Sequence, residues 1–321
     1  MFSHKQLHSL RLYLSSVLLY GLGILLCRYL PYFQKTLMLK TQEVLLYLFL
    51  GYVIIAPFAY LLFANEHTSN KSYLFWKFII RNLKVLVRRE PSFSLHHEEK
   101  IALLFILVKI FFLPTMINFF FGNINGLHIQ LNKLQWYPLL FTLLFTIDTL
   151  IFSIGYTFES PRLKNVVKSV EPTFFGWFVT LICYPPFNSI AGAYIPWGAN
   201  DFAYFWNDSL TIVFRIAIIF LLIIYVWATV ALGFKSSNLT NRGIVMKFPY
   251  SVIRHPAYIS KNLIWWITLL PIMTWPFALG MLFWSIIYFA RAITEERHLK
   301  QDSDYVAYCE KVKWRFIPKL F

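Results

Sequence analysis

Two short polar stretches near the end of the chain carry side chains that can do chemistry. The first reads Arg-His-Pro-Ala-Tyr over residues 254–258, and the second reads Arg-Ala-Ile-Thr-Glu-Glu-Arg over residues 291–297. Guanidinium groups bind carboxylates and phosphates, whereas imidazole and carboxylate groups can accept protons from a substrate. The two stretches therefore supply the groups needed to hold an anion and to act on it.

The segment between the two stretches predicts how they are positioned. It contains about 30 mostly apolar residues and is interrupted at Pro271 and Pro276, where the missing backbone donors stop a helix. We expect two helical arms of about 15 residues, each roughly 22 Å long at the helical rise of about 1.5 Å. Because the arms are equal, the chain turns back on itself and His255 and Arg291 are predicted to lie at one depth.

Local geometry at the two arm ends suggests separate roles for these side chains. Pro256 suits the first turn of a helix, so His255 is predicted to stand at a helix start, where the positive end of the helix dipole and Arg254 favour an anionic group. On the returning arm, Arg291 and Glu295 are four residues apart and share a face. Glu296 is turned about 100° away from them.

Composition identifies the class of protein that holds this hairpin. Of 321 residues, 58% are hydrophobic and only 14% are charged, which is outside the range of soluble domains. Apolar runs near the length of a ~30 Å hydrocarbon core fall at about 10–30, 44–64, 99–122, 134–158, 174–197 and 208–233. With the hairpin, they predict an all-α, polytopic integral membrane bundle of about eight transmembrane helices that ends in a cytosolic tail.

The positive charges predict the orientation of this bundle. The net charge is +15, and basic residues accumulate on cytoplasmic loops. If the N-terminus is inside, 22 Lys and Arg residues fall on the cytoplasmic side and 4 on the other. The distribution predicts that both termini are cytoplasmic, and it explains the charge better than nucleic-acid binding does.

The chain is predicted to divide into a scaffold and a functional core. Residues 1–240 form the N-terminal transmembrane scaffold, and residues 241–321 contain the hairpin and an amphipathic tail. Within the scaffold, residues 71–90 mix aromatic and aliphatic side chains with Lys and Arg at helical spacing. This pattern is typical of an interfacial helix bound to anionic lipid headgroups, with a docking surface for a partner as the alternative.

Other classes of function lack their sequence signals. The three cysteines are widely spaced and form no CxxC pair, so neither a disulfide framework nor a metal site is predicted. A transporter would need an inverted repeat or charges along a path through the membrane, and we find neither in the sequence. The sequence leaves the oligomeric state open.

The C-terminal motifs resemble those of a known enzyme family. Residues 248–258 read Phe-Pro-Tyr-Ser-Val-Ile-Arg-His-Pro-Ala-Tyr; they are followed by Glu295-Glu296, by Tyr305 and Tyr308, and by an Arg-Phe-Ile-Pro ending at residue 318. This order is similar to the C-terminal core of the isoprenylcysteine carboxyl methyltransferase family, whose superfamily also includes phospholipid N-methyltransferases. The resemblance covers about residues 243–321.

The resemblance implies an S-adenosylmethionine-dependent methyltransferase that acts on a lipophilic, membrane-embedded acceptor, either an isoprenylcysteine-like carboxylate or a lipid headgroup. Arg291 would orient the acceptor, with Glu295 as the second catalytic residue. The cofactor would be bound at the cytosolic ends of the hairpin and by the tail, through Arg254, His255, Pro256, Tyr258, Glu296, Tyr305 and Tyr308. The sequence alone does not decide which of the two glutamates faces the cofactor.

A second enzyme class remains open at this point. Membrane sterol reductases resemble the same module, including an RHPxY-like motif and a tail similar to residues 308–316. Such an enzyme would use NADPH to reduce a membrane lipid, and membrane reductases need not carry a GxGxxG loop. The alternative prediction is therefore an NADPH-dependent lipid or sterol-type reductase.

Overall fold

The fold is predominantly helical. The structure is a computed structural model that describes residues 4–63, 70–88 and 93–320. Over these ranges the chain forms helices and one short pair of strands, which confirms the predicted all-α class. The chain divides into two compact units after Phe121, and each unit is described by itself.

The first unit is built around the N-terminal helix. Its elements are α1 (His4–Tyr29), α2 (Pro31–Thr36), α3 (Leu39–Phe63), α4 (Lys71–Arg88) and the beginning of α5 (His97–Lys133). Helix α1 packs against both α3 and α4. Asn70 joins them, because its amide nitrogen donates to the hydroxyls of Tyr60 (2.7 Å) and Ser16 (3.1 Å).

The basic stretch predicted over residues 71–90 forms α4. Its last two residues, Arg89 and Glu90, lie outside the described residues. The guanidinium of Arg81 donates two bonds of 2.6 Å to the carboxylate of Glu99, so α4 is tied to the start of α5. The opposite side of α4 exposes Leu83, Leu86 and Val87. The position of α4 at a membrane surface stays a prediction.

The second unit contains the predicted functional core. It begins with the end of α5 and continues with α6 (Trp136–Thr157), β1 (Ser169–Val170), α7 (Phe174–Leu181), α8 (Phe187–Tyr194), α9 (Asp208–Leu232), β2 (Thr240–Asn241), α10 (Pro256–Leu269), α11 (Trp275–Leu299) and α12 (Ser303–Lys311). Helix α9 packs against α6 and α10 around the buried side chains of Tyr137, Phe141, Phe205, Ile218, Leu222 and Ile264. The predicted boundary between residues 240 and 241 falls inside β2, within one compact unit.

Six helices within the described ranges are long and apolar enough to cross a membrane: α1, α3, α5, α6, α9 and α11. The multi-pass membrane class is therefore confirmed. The other two predicted spans are occupied by shorter helices. Residues 174–197 contain α7 and α8, which Pro185 and Pro186 separate, and the first hairpin arm contains the 14-residue α10 and a 3-10 turn at Leu270–Ile272.

Helix α5 is longer than predicted. The apolar run ends near residue 122, but the helix continues to Lys133, a length of 37 residues. At about 1.5 Å per residue this is roughly 55 Å, well beyond a ~30 Å hydrocarbon core. Hydrophobicity marks the part of a helix that lipid favours, whereas backbone hydrogen bonding continues until the turn at Leu134, which has a positive φ of 51°.

The short strand pair lies beside the end of α11. Ser169 pairs with Asn241 in the antiparallel register of β1 and β2. Nearby, Nε2 of His298 lies 2.8 Å from the hydroxyl of Ser169, and Arg297 makes a 2.9 Å ion pair with the buried carboxylate of Glu171. These contacts fix the last turns of α11, and with them the Glu295-Glu296 pair, relative to the rest of the unit.

Candidate functional site

The structure brings the two polar stretches together. Helix α10 begins at Pro256, with His255 as the residue that precedes it, and α11 continues without a break through residues 291–297. The hydroxyl of Tyr258 donates to Glu295 at 2.6 Å, and Nε2 of His255 lies 3.1 Å from Oε1 of Glu296. The start of α10 and the last turns of α11 thus lie side by side.

Glu296 is the centre of a buried charge cluster. Its Oε2 accepts hydrogen bonds from Nη1 of Arg254 and from Nε of Arg315, both at 3.1 Å, while Oε1 faces His255. Arg254 is half-buried and Glu296 is almost fully buried. A carboxylate with these partners stabilises the cluster only as long as all partners remain, because a buried charge left unpaired is costly.

Glu295, one residue earlier, has the opposite environment. It is exposed, and the hydroxyl of Tyr258 is its hydrogen-bond donor among the described residues. The difference follows from the rotation of about 100° between neighbouring helical residues. Of the two glutamates, Glu295 is the one whose carboxylate remains accessible to a ligand.

An aromatic stack lies next to these carboxylates. The imidazole of His255 and the ring of Tyr258 are parallel to within 5°, with centroids 5.3 Å apart. The ring of Phe316 also lies close to His255, with the ring centroids 5.5 Å apart. A planar ligand ring bound here could therefore stack on aromatic side chains.

The C-terminal tail closes against the start of α10. The backbone amides of Arg254 and His255 donate to the carbonyls of Trp314 and Arg315, both at 2.9 Å. Nη2 of Arg254 also donates to the carbonyl of Lys313 at 3.1 Å. The tail therefore forms part of the site, and it delivers Arg315 to Glu296.

Helix α12 contributes the two predicted tyrosines. Both side chains are buried, and burial raises the pKa of each phenol. The hydroxyl of Tyr308 donates to the carbonyl of Tyr250 at 2.7 Å. The hydroxyl of Tyr305 is buried without a hydrogen-bond partner in the described part of the chain, and Nε of Arg254 is in the same state. Such unsatisfied polar atoms are uncommon and call for an explanation.

Arg291 is enclosed by tyrosine rings. Its guanidinium carbon lies 5.2 Å from the ring centroid of Tyr258, 5.7 Å from that of Tyr184 and 5.8 Å from that of Tyr288. Its Nη2 donates to the side-chain oxygen of Asn238. Across the described residues, no carboxylate is within ion-pair distance of Arg291.

Four residues of this region were not singled out by the sequence as parts of a site: Tyr184, Asn238, Lys261 and Arg315. Asn238 is central among them. Its side-chain amide donates to the hydroxyl of Tyr184 at 3.1 Å, and its backbone amide donates to the hydroxyl of Tyr156 at 2.6 Å. Only Arg315 had a local signal, the Arg-Phe-Ile-Pro ending. Lys261 lies on α10 itself, whereas Tyr184 and Asn238 meet the hairpin through long-range packing.

Comparison with known proteins adds no assignment. No protein-family model, characterised protein or solved structure matches this chain.

Proposed function

We propose that the chain is a membrane-embedded methyltransferase that uses S-adenosylmethionine and a lipophilic acceptor. The observation that carries the proposal is the meeting of three segments at one point: residues 254–258, residues 291–297 and the tail at residues 313–316. These segments are the ones on which the resemblance to the isoprenylcysteine carboxyl methyltransferase family rests. Their joint position supports a common ligand.

The side chains present fit the cofactor. Its flat adenine ring suits the stack of His255 and Tyr258, and its ammonium and ribose hydroxyls need an accessible carboxylate such as that of Glu295. The buried hydroxyl of Tyr305 and the buried Nε of Arg254 are polar atoms in need of partners. The cofactor's own carboxylate is the kind of acceptor that a guanidinium binds.

Within this proposal, the two glutamates have different tasks. Glu296 holds Arg254, His255 and Arg315 in place and keeps the start of α10 against the tail. Glu295 faces the ligand. The carboxylate that the resemblance assigns to the cofactor is then supplied by Glu295, and Glu296 is a positioning residue.

When bound, S-adenosylmethionine would supply an electrophilic methyl group and sulfur would keep the electron pair of the methyl–sulfur bond, so the protein's own residues need only bind and orient the acceptor. An acceptor carboxylate attacks with an oxygen lone pair and needs no base. An amine headgroup must first lose a proton, and Glu295 is the exposed carboxylate that can take it. Arg291 orients an anionic acceptor by charge and hydrogen bonding.

The proposal includes an orientation in the membrane. A soluble cofactor reaches the site only from the cytosol, so the polar hairpin ends and both termini are placed on the cytoplasmic side, as the charge distribution indicates. A reporter fused to each terminus, active only in the cytosol, tests this. Activity at both ends is expected; a silent reporter at the C-terminus contradicts the orientation and removes access to the cofactor.

The first test is cofactor binding to the purified, full-length protein in detergent. We expect S-adenosylhomocysteine to raise the melting temperature in a concentration-dependent manner and NADPH to leave it unchanged. Glu295→Gln is expected to weaken the shift. Glu310→Gln, which alters an exposed carboxylate on α12, is the matched control and should behave as wild type.

The second test is the reaction. Cells that express the protein are labelled with methyl-labelled methionine, and their lipid extracts are compared by mass spectrometry with extracts from cells that express Glu295→Gln. A labelled lipid present only with the active protein supports the proposal and identifies the acceptor. Stabilisation by NADPH, with no response to S-adenosylhomocysteine, supports the reductase instead.

A further inference from the structure

A second cation lies deeper in the same hairpin than the predicted site. Lys261 is three residues beyond Tyr258 and four before Trp265, so these three side chains follow one face of α10. Its ammonium lies 5.3 Å from the ring of Trp265 and 5.6 Å from that of Tyr225 on α9. The sequence alone gave this lysine no role.

Lys261 and Arg291 share one aromatic wall. The ring of Tyr288, which Arg291 covers at 5.8 Å, contacts the ring of Trp265 at 5.0 Å and that of Tyr258 at 5.7 Å. Trp265 in turn contacts Lys261. One cation therefore extends from each helix of the hairpin onto a continuous surface made by Tyr258, Trp265 and Tyr288.

The two cations lack close counter-ions. Within the described ranges, no carboxylate is within ion-pair distance of either side chain. Asp148 and Asp201 act on Lys261 from farther away. The nearer contact of Asp148 is with hydroxyls, because its carboxylate accepts from Thr229 at 2.6 Å and from Tyr225 at 3.1 Å.

Arg291 is buried and Lys261 is half-buried, and two neighbouring cations with this little access to water are costly to hold without an anion between them. A purely structural pair would be expected to carry a carboxylate at contact distance, as Arg81 and Arg254 do. Aromatic rings lower the cost only in part, since each cation–π contact contributes about 0.5–2 kcal/mol. The arrangement is instead suited to a ligand that brings its own negative charge.

We propose that Lys261 and Arg291 together bind the anionic headgroup, carboxylate or phosphate, of a lipophilic molecule that enters from the bilayer. This inference rests on the proposed methyltransferase function only where it identifies that molecule as the methyl acceptor. Lys261 is the residue that selects an acidic headgroup over a neutral one. The apolar part of the ligand remains in contact with the membrane-facing side of the helices.

The test measures binding of acidic probes and their neutral counterparts to the full-length protein in lipid nanodiscs. The carboxylate pair is N-acetyl-S-farnesylcysteine and its methyl ester; the phosphate pair is farnesyl phosphate and farnesol. We expect at least one acid to bind about tenfold or more tightly than its neutral partner, because hydrogen bonds to charged groups are the stronger ones. The pair of probes with the larger difference in affinity shows whether the site prefers a carboxylate or a phosphate.

Variants then assign the preference to Lys261. Lys261→Met is expected to reduce the binding of the acid about tenfold and to leave the neutral probe unchanged, whereas Lys261→Arg keeps the preference. The matched control is Arg215→Met, which removes another cation above a tyrosine ring, that of Tyr137 at 4.9 Å. This control should retain the preference for the acid.

Two results overturn the inference: equal binding of acid and neutral probe by the wild-type protein, or an equal loss of both in Lys261→Met. If Lys261→Met does not fold, the inference is still tested by the comparison of acidic and neutral probes on the wild-type protein and on Lys261→Arg. Binding of S-adenosylhomocysteine is measured in parallel. A preference for the acidic probe without cofactor binding refutes the methyltransferase proposal and supports the anion site. Cofactor binding without a preference for the acidic probe refutes the anion site and supports the methyltransferase proposal.

Discussion

Nε2 of His255 lies 3.1 Å from Oε1 of Glu296, a contact that joins the residue before α10 to the last turns of α11. The two residues are 41 positions apart in the chain. The same carboxylate binds Arg254 and Arg315, so one acidic side chain connects the start of the hairpin, its end and the C-terminal tail.

Replacing Glu296 is therefore expected to loosen all three segments. Glu296→Gln leaves two guanidinium groups without their anion, and breaking a buried pair in this way costs about 3–5 kcal/mol. A lower melting temperature and faster proteolysis of the tail are the expected readouts. Glu310→Gln, at an exposed position of α12, should change stability by less than about 0.5 kcal/mol. Equal stability of the two variants would contradict the role of Glu296.

Tyr258→Phe separates ligand binding from stability. The variant keeps the aromatic stack with His255 and removes only the hydroxyl that donates to Glu295 at 2.6 Å. Because Glu295 is exposed, water can replace that donor and the fold should remain intact. We expect a several-fold weaker affinity for S-adenosylhomocysteine, measured by calorimetry, at an unchanged melting temperature. A large drop in melting temperature would instead assign the hydroxyl a structural role.

Asn238 is predicted to hold Arg291 in its tyrosine enclosure. In Asn238→Leu the guanidinium of the buried Arg291 loses its side-chain acceptor, and an unsatisfied buried donor should cost about 1–3 kcal/mol. The variant also removes the amide that donates to the hydroxyl of Tyr184. Asn238→Asp restores an acceptor and adds a counter-charge for Arg291. We expect thermal unfolding to rank the aspartate variant above the leucine variant; the reverse order would show that Arg291 does not depend on this contact.

The length of the hairpin could be predicted because it depends on local rules. Pro256, Pro271 and Pro276 mark where helices start and stop, and the rise per residue is constant. This spacing alone predicts that His255 and Arg291 lie at one depth. In the structure His255 contacts Glu296, and Tyr258 contacts Glu295. The broken helix at Pro185 and Pro186 follows from the same rules.

The environment of each side chain could not be predicted in this way. Glu295 and Glu296 are neighbours of one residue type, and which of them is buried depends on the rotation of α11 about its axis. That rotation is set by distant contacts such as the one between Arg297 and Glu171. Asn238 and Lys261 meet Arg291 and the aromatic wall only after α9, α10 and α11 have packed, and no short motif marks such a meeting.

Acid should weaken the contact between the strand pair and the segment before α12. Burial disfavours the charged form of Asp302, but hydrogen bonds from Lys168 and Asn241 outweigh it and hold the pKa of this carboxyl below its usual value. A depressed folded-state pKa adds stability above the unfolded value of about 3.9, and this stability is lost as the pH falls through the folded-state pKa.

The expected result is that wild type exceeds Asp302→Asn in melting temperature at pH 7, and that the difference begins to shrink near about pH 4 and disappears only below the folded-state pKa of Asp302. Asparagine can still cap α12, where Asp302 accepts from the amide of Asp304, so the comparison isolates the charge. Lys168→Met should reduce the same pH-dependent difference, since the hydrogen bond from Asn241 remains. A gap between wild type and Asp302→Asn that persists unchanged at low pH would contradict this assignment.

The packing of α11 depends on a close approach at Gly280. A Cβ at this position would lie 1.8 Å from the carbonyl oxygen of Pro196, in the segment between α8 and α9. Gly280→Ala must therefore push α11 away from that segment, and overpacking of this kind costs about 1–3 kcal/mol. Gly192 on α8 is the matched control, because a Cβ there meets no atom within 4 Å.

We expect Gly280→Ala to lower the melting temperature and to reduce ligand binding at Arg291 and Glu295, which lie on the same helix. Gly192→Ala should leave ligand binding unchanged, and it should leave the melting temperature unchanged or slightly higher because alanine has the better helix propensity. If both alanine variants behave alike, the rotation of α11 is not set by this contact.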